Sequence, residues 1–223
     1  MSTGSKLLNQ CRQPTGWLGR FSFWTMNIRH SKVTDWGLKH VSIEKRDTIL
    51  DVGCGGGRTV RKLAAVATEG KVYGLDHSEE SVASTRRTNQ QGIEKVRVEV
   101  RQGSVSHLPF SDDMFDLATA VETHFFWPDL PVDMREVLRV LKPGGKLIIM
   151  AEIYMGGRHP KIQELVERHS EFTKMTLLSV EEHRELFSRA GYSDVEILEE
   201  RDRAWICGIG GKPSTRIRLG SLP

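Results

Sequence analysis

The sequence is short of the features that mark several common classes of protein. Its 223 residues include three cysteines, Cys11, Cys54 and Cys207, and their wide separation excludes a disulfide framework and a CxxC zinc site. No apolar run approaches the length of a membrane span. The first residues lack the apolar stretch of a signal peptide, so we expect a cytoplasmic protein. No set of metal ligands stands out, and we predict no metal site.

The charge is nearly balanced, which does not favour a nucleic-acid partner. The chain carries 32 basic and 29 acidic side chains, for a formal net charge of +3. The basic residues are not interleaved with aromatic ones as in RNA-binding motifs, so we expect no nucleic acid among the partners. Hydrophobic residues make up 38% and charged residues 27% of the chain, which is typical of globular proteins. The oligomeric state stays open.

Strand-like and helix-like segments alternate from residue 47 onward. Short apolar runs end in turns, and amphipathic stretches with helical periodicity separate them. The predicted strands are 48–52, 71–76, 95–102, 115–121 and 146–154, and the predicted helices are 58–68, 78–91, 130–141, about 160–174 and 179–190. Such alternation predicts a parallel sheet with helices on both faces, a Rossmann-like doubly wound α/β fold.

The two ends of the chain depart from this alternation. Two further strands, 194–202 and 203–210, follow each other with no helix between them, so we expect antiparallel neighbours. The aromatic residues and turns near the N-terminus predict a helical cap over the site. We therefore divide the chain into a cap at 1–44, a main domain at 45–211 and a loose tail at 212–223.

A glycine-rich turn follows the first predicted strand. The segment ILDVGCGGG (49–57) ends that strand and opens the next helix, whose N-terminus favours polar or negative groups. Asp76 ends the second strand, where a carboxylate can accept hydrogen bonds from both hydroxyls of a ribose. The combination predicts a ligand that contains a nucleoside.

A dinucleotide fits this turn poorly. Arg58 stands where the dinucleotide fingerprint GxGxxG needs its third glycine, and the Asp51 carboxylate would lie beside a pyrophosphate. Next to an ammonium group, the same carboxylate would be favourable. A Rossmann dehydrogenase is therefore disfavoured, and a ligand with adenosine at one end and an amino acid at the other fits both carboxylates.

Four segments together resemble the class I S-adenosylmethionine (SAM) dependent methyltransferases. They are ILDVGCGGG, VYGLDHS, QGSVSHLPFSDDMFD and LRVLKPGGKLII, in the order of that family, and the likeness spans residues 45–210. The resemblance implies a seven-stranded sheet with an antiparallel last strand. It also implies SAM as the cofactor and S-adenosylhomocysteine as the product formed from it.

The resemblance assigns cofactor-binding positions residue by residue. Asp51 and the glycine turn would meet the methionine end of SAM, Asp76 the ribose, and the segment at 103–105 the adenine. Many members of the family have an aspartate where this chain has Ser104, so the bond to the adenine amino group is weaker or comes from elsewhere. The full implied set is Asp51, Gly53, Cys54, Gly55, Asp76, His77, Gly103, Ser104, Val105 and Val121.

The acceptor side is read from the ends of the fourth and fifth strands. His124 is a candidate general base and Glu122 a candidate for orienting acceptor or cofactor, while Tyr154 follows the fifth strand. His30 and Phe126 are candidate substrate contacts. Ordinary packing or exposure is the competing interpretation for His124, Tyr154, His30 and Phe126.

The predicted function is methyl transfer to an oxygen, nitrogen or carbon atom of a small-molecule acceptor by an SN2 displacement, which mainly requires alignment. The sequence has no Asn/Asp-Pro-Pro-Tyr segment after the fourth predicted strand, which argues against methylation of nucleic-acid bases or of protein glutamine. The alternative is a catalytically inactive module that binds SAM or a nucleoside for regulation. The glycine turn and Asp76 do not distinguish these two functions.

Overall fold

The structure is a computed structural model that describes residues 31–157 and 175–214. The described strands are β1 (Thr48–Val52), β2 (Lys71–Asp76), β3 (Val98–Gln102), β4 (Phe115–Val121), β5 (Leu141–Ala151), β6 (Ser193–Glu200) and β7 (Trp205–Gly211). They form one seven-stranded sheet in the order β3-β2-β1-β4-β5-β7-β6. The chain passes from the middle of this sheet to one edge and then returns to build the other half.

Strand direction confirms the predicted fold class. Strands β1 to β5 pair in parallel, whereas β7 runs antiparallel to both of its neighbours, β5 and β6. The reason is local, because a short turn rather than a helix joins β6 to β7 and a tight connection reverses the chain. The fold is thus a Rossmann-like sheet in which the last strand of the chain, β7, lies antiparallel between β5 and β6.

Six α-helices lie among the described residues. They are α1 (Ser31–Gly37), α2 (Arg58–Val66), α3 (Glu79–Thr88), α4 (Gln90–Glu94), α5 (Leu130–Val140) and α6 (Val180–Ala190). Single turns of 3-10 helix follow α1 at Leu38–His40 and β4 at His124–Phe126. No helix in the described part of the chain is long and apolar enough to cross a membrane.

Capping residues explain where the helices begin and end. Ser78 accepts a hydrogen bond from the Ser81 amide and starts α3, as its sequence predicts. Ser179 and Glu182 form a capping box at the start of α6, and Gly191 ends that helix in the left-handed conformation. The helix predicted at 160–174 lies outside the described residues.

Four strands, β3, β5, β6 and β7, have boundaries that differ from the sequence prediction, and the largest differences are at the starts of β3 and β5. Strand β3 begins at Val98 rather than at residue 95, because Val96 has a positive φ of 59° and the chain is still turning there. Strand β5 begins at Leu141 rather than at residue 146. Leu141 pairs with Phe115, and a register shift then carries the strand past the two glycines of LKPGG.

The core lies on both faces of the sheet. Alternate residues of each strand belong to different buried clusters, as Leu50 and Ile49 of β1 show. On one face Met134 and Val137 of α5 cover the sheet, and on the other Val60 and Leu63 of α2 do so. With both faces covered, the carboxyl ends of the parallel strands are left as the edge at which a ligand site can form.

Candidate active site

The carboxyl ends of β1 and β4 diverge at the point where the strand order reverses. Strand β1 connects through α2 to β2 on one side, and its other neighbour is β4. In open α/β sheets, ligands bind in the crevice that this reversal opens. The residues that follow Val52, Leu75, Val121 and Met150 therefore face one another across a single site.

The glycine turn after β1 has the backbone geometry of a ligand cradle. Gly53, Gly55 and Gly57 have positive φ angles of 73°, 49° and 79°, a region that side chains disfavour. The amides of Gly53 and Cys54 both donate to the Leu75 carbonyl, at 2.7 and 3.0 Å, and so fasten the turn to β2. Among the described residues, a Cβ placed on Gly55 would have only the Gly53 carbonyl oxygen within 4 Å, at 4.0 Å. No described residue therefore fills the space beside the Gly55 Cα.

Backbone amides hold the Asp76 carboxylate in place. One carboxylate oxygen accepts from the Gly55 amide and the other from the Ser78 amide, each at 2.9 Å. Asp76 is only 6% exposed, and His77 Nδ1 lies 3.6 Å from it on the more open side. The glycine turn and the start of α3 thus orient one carboxylate at the end of β2.

A second carboxylate, Asp51, is buried beneath the turn. It is 1% exposed and accepts a hydrogen bond from Thr119 Oγ1 at 2.6 Å. Burial raises the pKa of Asp51 to about 7; the nearby Asp76 carboxylate adds to the rise and the Thr119 bond opposes it. Two acidic groups at the ends of neighbouring strands form an acceptor set suited to a cationic ligand.

Cys54 builds the turn rather than presenting a side chain above it. Its amide donates to Leu75, and its carbonyl accepts from the Gly57 amide at 2.8 Å. The thiol is buried 3.4 Å from Thr85 Oγ1, and burial raises its pKa well above the usual value. The predicted contact of Cys54 with a cofactor stays a prediction, and the structure shows that its polar groups serve the turn.

The segment at 103–105 closes the site beside Asp76. The Gly103 amide donates to the Asp76 carbonyl at 3.0 Å, and Val105 is buried in the core. Ser104 Oγ accepts from the Ser106 amide at 3.2 Å, so this hydroxyl already has a partner within its own loop. Val121, half-buried, ends β4 opposite Met150.

The residues after β4 lie against the glycine turn. A Cβ on Gly53 would overlap Thr123 Oγ1, so Thr123 packs directly on the turn. Glu122, with a positive φ of 55°, accepts a hydrogen bond from the Glu152 amide and donates its own amide to the Met150 carbonyl at 2.9 Å. Glu122 therefore ties the ends of β4 and β5 together.

His124 and Tyr154 are both buried and paired with residues from distant segments. His124 Nε2 lies 3.1 Å from His183 Nε2 of α6, and burial, together with His183, lowers the pKa of His124 well below its usual value. The Tyr154 hydroxyl donates to Glu199 at 2.7 Å, and burial, with that bond, raises its pKa to about 12. Tyr154 is therefore a hydrogen-bond donor rather than a base at neutral pH.

Of the two candidate substrate contacts, Phe126 and His30, the structure describes only Phe126. Phe126 is half-buried with its ring 4.8 Å from that of Phe125. Phe125 belongs to a small apolar cluster with Tyr154 and Ile206 at the ends of β5 and β7. His30 lies outside the described residues, as does most of the predicted cap.

Sequence reasoning missed Thr119, His183 and Glu199. His183 had a detectable signal, because it stands with Leu186, Phe187 and Ala190 at the helical spacing of a buried stripe. A histidine in such a stripe needs a polar partner. Glu199 and Thr119 lie within strands, and nothing in their local sequence distinguishes them from ordinary strand residues.

Fold and site define a Rossmann-like α/β protein with a glycine turn and two acidic side chains at the carboxyl ends of β1 and β2. A family model described as a methyltransferase domain matches residues 50–149. The methyltransferase GfsG of Streptomyces halstedii is 28% identical over 86% of this chain and 69% of its own length. An O-methyltransferase of Pyrenophora dematioidea is 26% identical over 76% of this chain and 63% of its own length. The chain thus spans about two thirds of the length of these relatives.

A solved structure agrees with the fold. A chain from the complex between the Haloferax volcanii Trm112 methyltransferase activator and a candidate methyltransferase superposes with a TM-score of 0.75 at 24% identity, over 88% of this chain and 96% of that one. This likeness shows the fold alone. The family match and the methyltransferase relatives identify the chain as a class I SAM-dependent methyltransferase.

Proposed function

We propose that the protein uses SAM to methylate a hydroxyl group of a small, largely apolar acceptor. The observation that carries the proposal is the buried, neutral imidazole of His124. His124 directly follows Thr123, which packs on Gly53 of the glycine turn. A neutral histidine beside the methyl donor is suited to accept a proton from a hydroxyl as it is methylated. An acceptor without a proton to lose would need no such group.

The chain's own residues supply the cofactor site. When bound, SAM supplies a methyl group on a positively charged sulfur. The ionised Asp51 carboxylate would hold its ammonium group, and Asp76 its ribose hydroxyls. Gly55 leaves room for the ligand to approach the backbone. These assignments follow from the donor and acceptor sets at the ends of β1 and β2.

The acceptor side supports an apolar molecule. Phe125, Tyr154 and Ile206 are each at most 3% exposed and form one cluster beside His124. An acceptor bound against this cluster would meet apolar side chains, which favour rings or alkyl chains over charged groups because charge is costly to bury. The relative from Pyrenophora dematioidea is named an O-methyltransferase, which agrees with oxygen as the accepting atom.

Transfer of labelled methyl from SAM tests the proposal. The acceptors are a panel of simple phenols, 2-hydroxy-1,4-naphthoquinone, primary alcohols, and amines of matching size. We expect label in base-stable methyl ethers of at least one hydroxyl compound. Label only in amines, or in none of the panel while SAM binds, would overturn the proposal.

Asp76→Ala is the control that links turnover to the cofactor site. Loss of charge-assisted hydrogen bonds should weaken SAM binding by about 10–150-fold. Asp112→Ala removes an exposed carboxylate paired with Arg139 and should leave binding unchanged. Equal affinity in folded Asp76→Ala and wild type would contradict the assignment of Asp76.

A further inference from the structure

The two buried histidines form a chain of hydrogen bonds with a defined direction. His124 stands in the 3-10 turn after β4, and His183 in the first turns of α6, 59 residues away. Both side chains are 1% exposed. Besides the 3.1 Å contact between the two Nε2 atoms, His183 Nδ1 lies 2.7 Å from the Ser179 carbonyl oxygen.

The carbonyl determines where each proton sits. A carbonyl oxygen only accepts, so His183 Nδ1 must carry a hydrogen. In a neutral ring, His183 Nε2 then has a lone pair, and His124 Nε2 must donate to it. His124 Nδ1 is left unprotonated. Burial lowers the pKa of both rings. For His183, the Ser179 carbonyl and the Glu182 carboxylate oppose part of this decrease. Because both values remain lowered, both rings are neutral at neutral pH.

The lone pair on His124 Nδ1 has no partner among the described residues, although the atom is buried. A buried acceptor that lacks a hydrogen bond costs about 1–3 kcal/mol. Such groups are rare and mark places where a ligand, a water molecule or catalytic chemistry completes the bonding. Thr123, packed on Gly53, brings this segment against the cofactor turn.

We infer that His183 is a positioning residue that fixes His124 in its Nε2–H tautomer, so that Nδ1 accepts the proton of the methyl acceptor. The inference rests on the proposed function. The acceptor O–H bond breaks, its proton moves to His124 Nδ1, and the oxygen forms the bond to the methyl carbon while the carbon–sulfur electron pair stays on sulfur. His183 Nε2, as the acceptor of the His124 Nε2–H bond, holds the ring in the orientation that leaves Nδ1 free to take this proton, as a third group orients the base in other catalytic relays.

Two substitutions at His183 distinguish its hydrogen bond to His124 from its contribution to packing. The amide oxygen of His183→Gln reaches the position of ring Nε2 and keeps an acceptor for His124, whereas His183→Leu offers none. Leu186→Ala, on the same buried face of α6, is the control for lost packing alone.

The first readout is the tautomer, which needs neither SAM nor an acceptor. Nitrogen-15 NMR of the full chain, with His124→Gln and His183→Gln for assignment, should show His124 protonated at Nε2 and His183 at Nδ1. In His183→Leu, His124 should shift towards a mixture of tautomers, while Leu186→Ala should keep the wild-type pattern. A wild-type His124 protonated at Nδ1, or on both nitrogens at pH 7, would overturn the inference.

The second readout is turnover of the phenol that the panel assay shows to be methylated fastest. We expect kcat to fall at least about tenfold in His183→Leu with the KM for SAM unchanged, and His183→Gln to recover most of it. Equal kcat losses in His183→Leu and Leu186→Ala would overturn the inference and leave packing as the role. Failure of the proposed function looks different, because then no hydroxyl compound is methylated while the tautomers are as assigned.

Discussion

The cofactor half and the acceptor half of the site are built by different means. At the ends of β1 and β2, backbone amides and two carboxylates do the work, and Gly55 and Asp76 contact each other directly. At the ends of β4 and β5, side chains pair across the fold: His124 with His183 and Tyr154 with Glu199, 59 and 45 residues apart. The first half presents two carboxylates beside backbone amides, whereas the second combines buried aromatic side chains with a histidine pair and the Glu199 carboxylate. We therefore propose that the first half takes the charged cofactor and the second takes the acceptor.

The largest expected effect is the loss of ligand affinity when Gly55 of the glycine turn is replaced by alanine. Gly55→Ala fills the open space above the turn, so we expect affinity for S-adenosylhomocysteine to fall by at least about 100-fold, a cost of roughly 3 kcal/mol. Calorimetric titration measures this directly.

Gly144→Ala is the matched control for Gly55→Ala. Gly144 also has a positive φ, 81°, and among the described residues a Cβ there would meet only Ser214 Oγ, at an ordinary 3.4 Å. Both variants should lose about 1–2 kcal/mol of stability, yet Gly144→Ala should bind normally. Equal affinity in the two variants would mean that the turn does not touch the ligand.

Asp51 should make the cofactor half sensitive to pH. Its pKa is raised to about 7 from an ordinary value of 3.8, so the carboxylate ionises only as the pH passes neutrality. A cationic ligand prefers the ionised form, and affinity for S-adenosylhomocysteine should therefore rise between about pH 6 and pH 8. Asp51→Asn should bind more weakly and with a flat pH profile.

The same shift predicts an opposite effect on stability. A carboxyl whose pKa is raised on folding stabilises the fold below its unfolded pKa, and this contribution is lost as pH rises through about 7. Asp51→Asn should therefore be more stable than wild type at pH 8, by roughly 2–4 kcal/mol, with the difference vanishing near pH 4. Urea denaturation across this range checks it, with Asp112→Asn as the exposed control. A variant that is less stable than wild type at pH 8 would show that Asp51 is already ionised and well paired.

The same contrast explains how far the sequence could predict the molecule. Strand alternation, the reversed last strand and the glycine turn depend on local backbone demands, so the segment ILDVGCGGG and Asp76 predict one half of the site. The pairing of His124 with His183 depends on where α6 packs, which no local pattern determines. Sequence reasoning therefore placed His124 at the right strand end without finding the partner that sets its protonation.

The smallest expected effect comes from removing the hydrogen bond between Tyr154 and Glu199 in the acceptor half. Tyr154→Phe removes the 2.7 Å bond to Glu199 but keeps the ring in its apolar cluster, and the Glu199 side chain, 22% exposed, can turn to water. We expect a stability loss of about 1 kcal/mol, or roughly 2–4 °C in Tm. The KM for the phenol should rise by a factor of about two to five, an effect of under roughly 1 kcal/mol, while affinity for S-adenosylhomocysteine should stay constant.

Tyr192→Phe is the control for Tyr154→Phe. The Tyr192 hydroxyl donates to the buried Met134 carbonyl at 2.9 Å, under α5, so its loss leaves a buried acceptor without its donor and should cost at least as much stability. It lies away from the strand ends and should not change the KM. If Tyr154→Phe instead weakened binding of S-adenosylhomocysteine, the two halves would share Tyr154, and the division between them would have to be redrawn at β5.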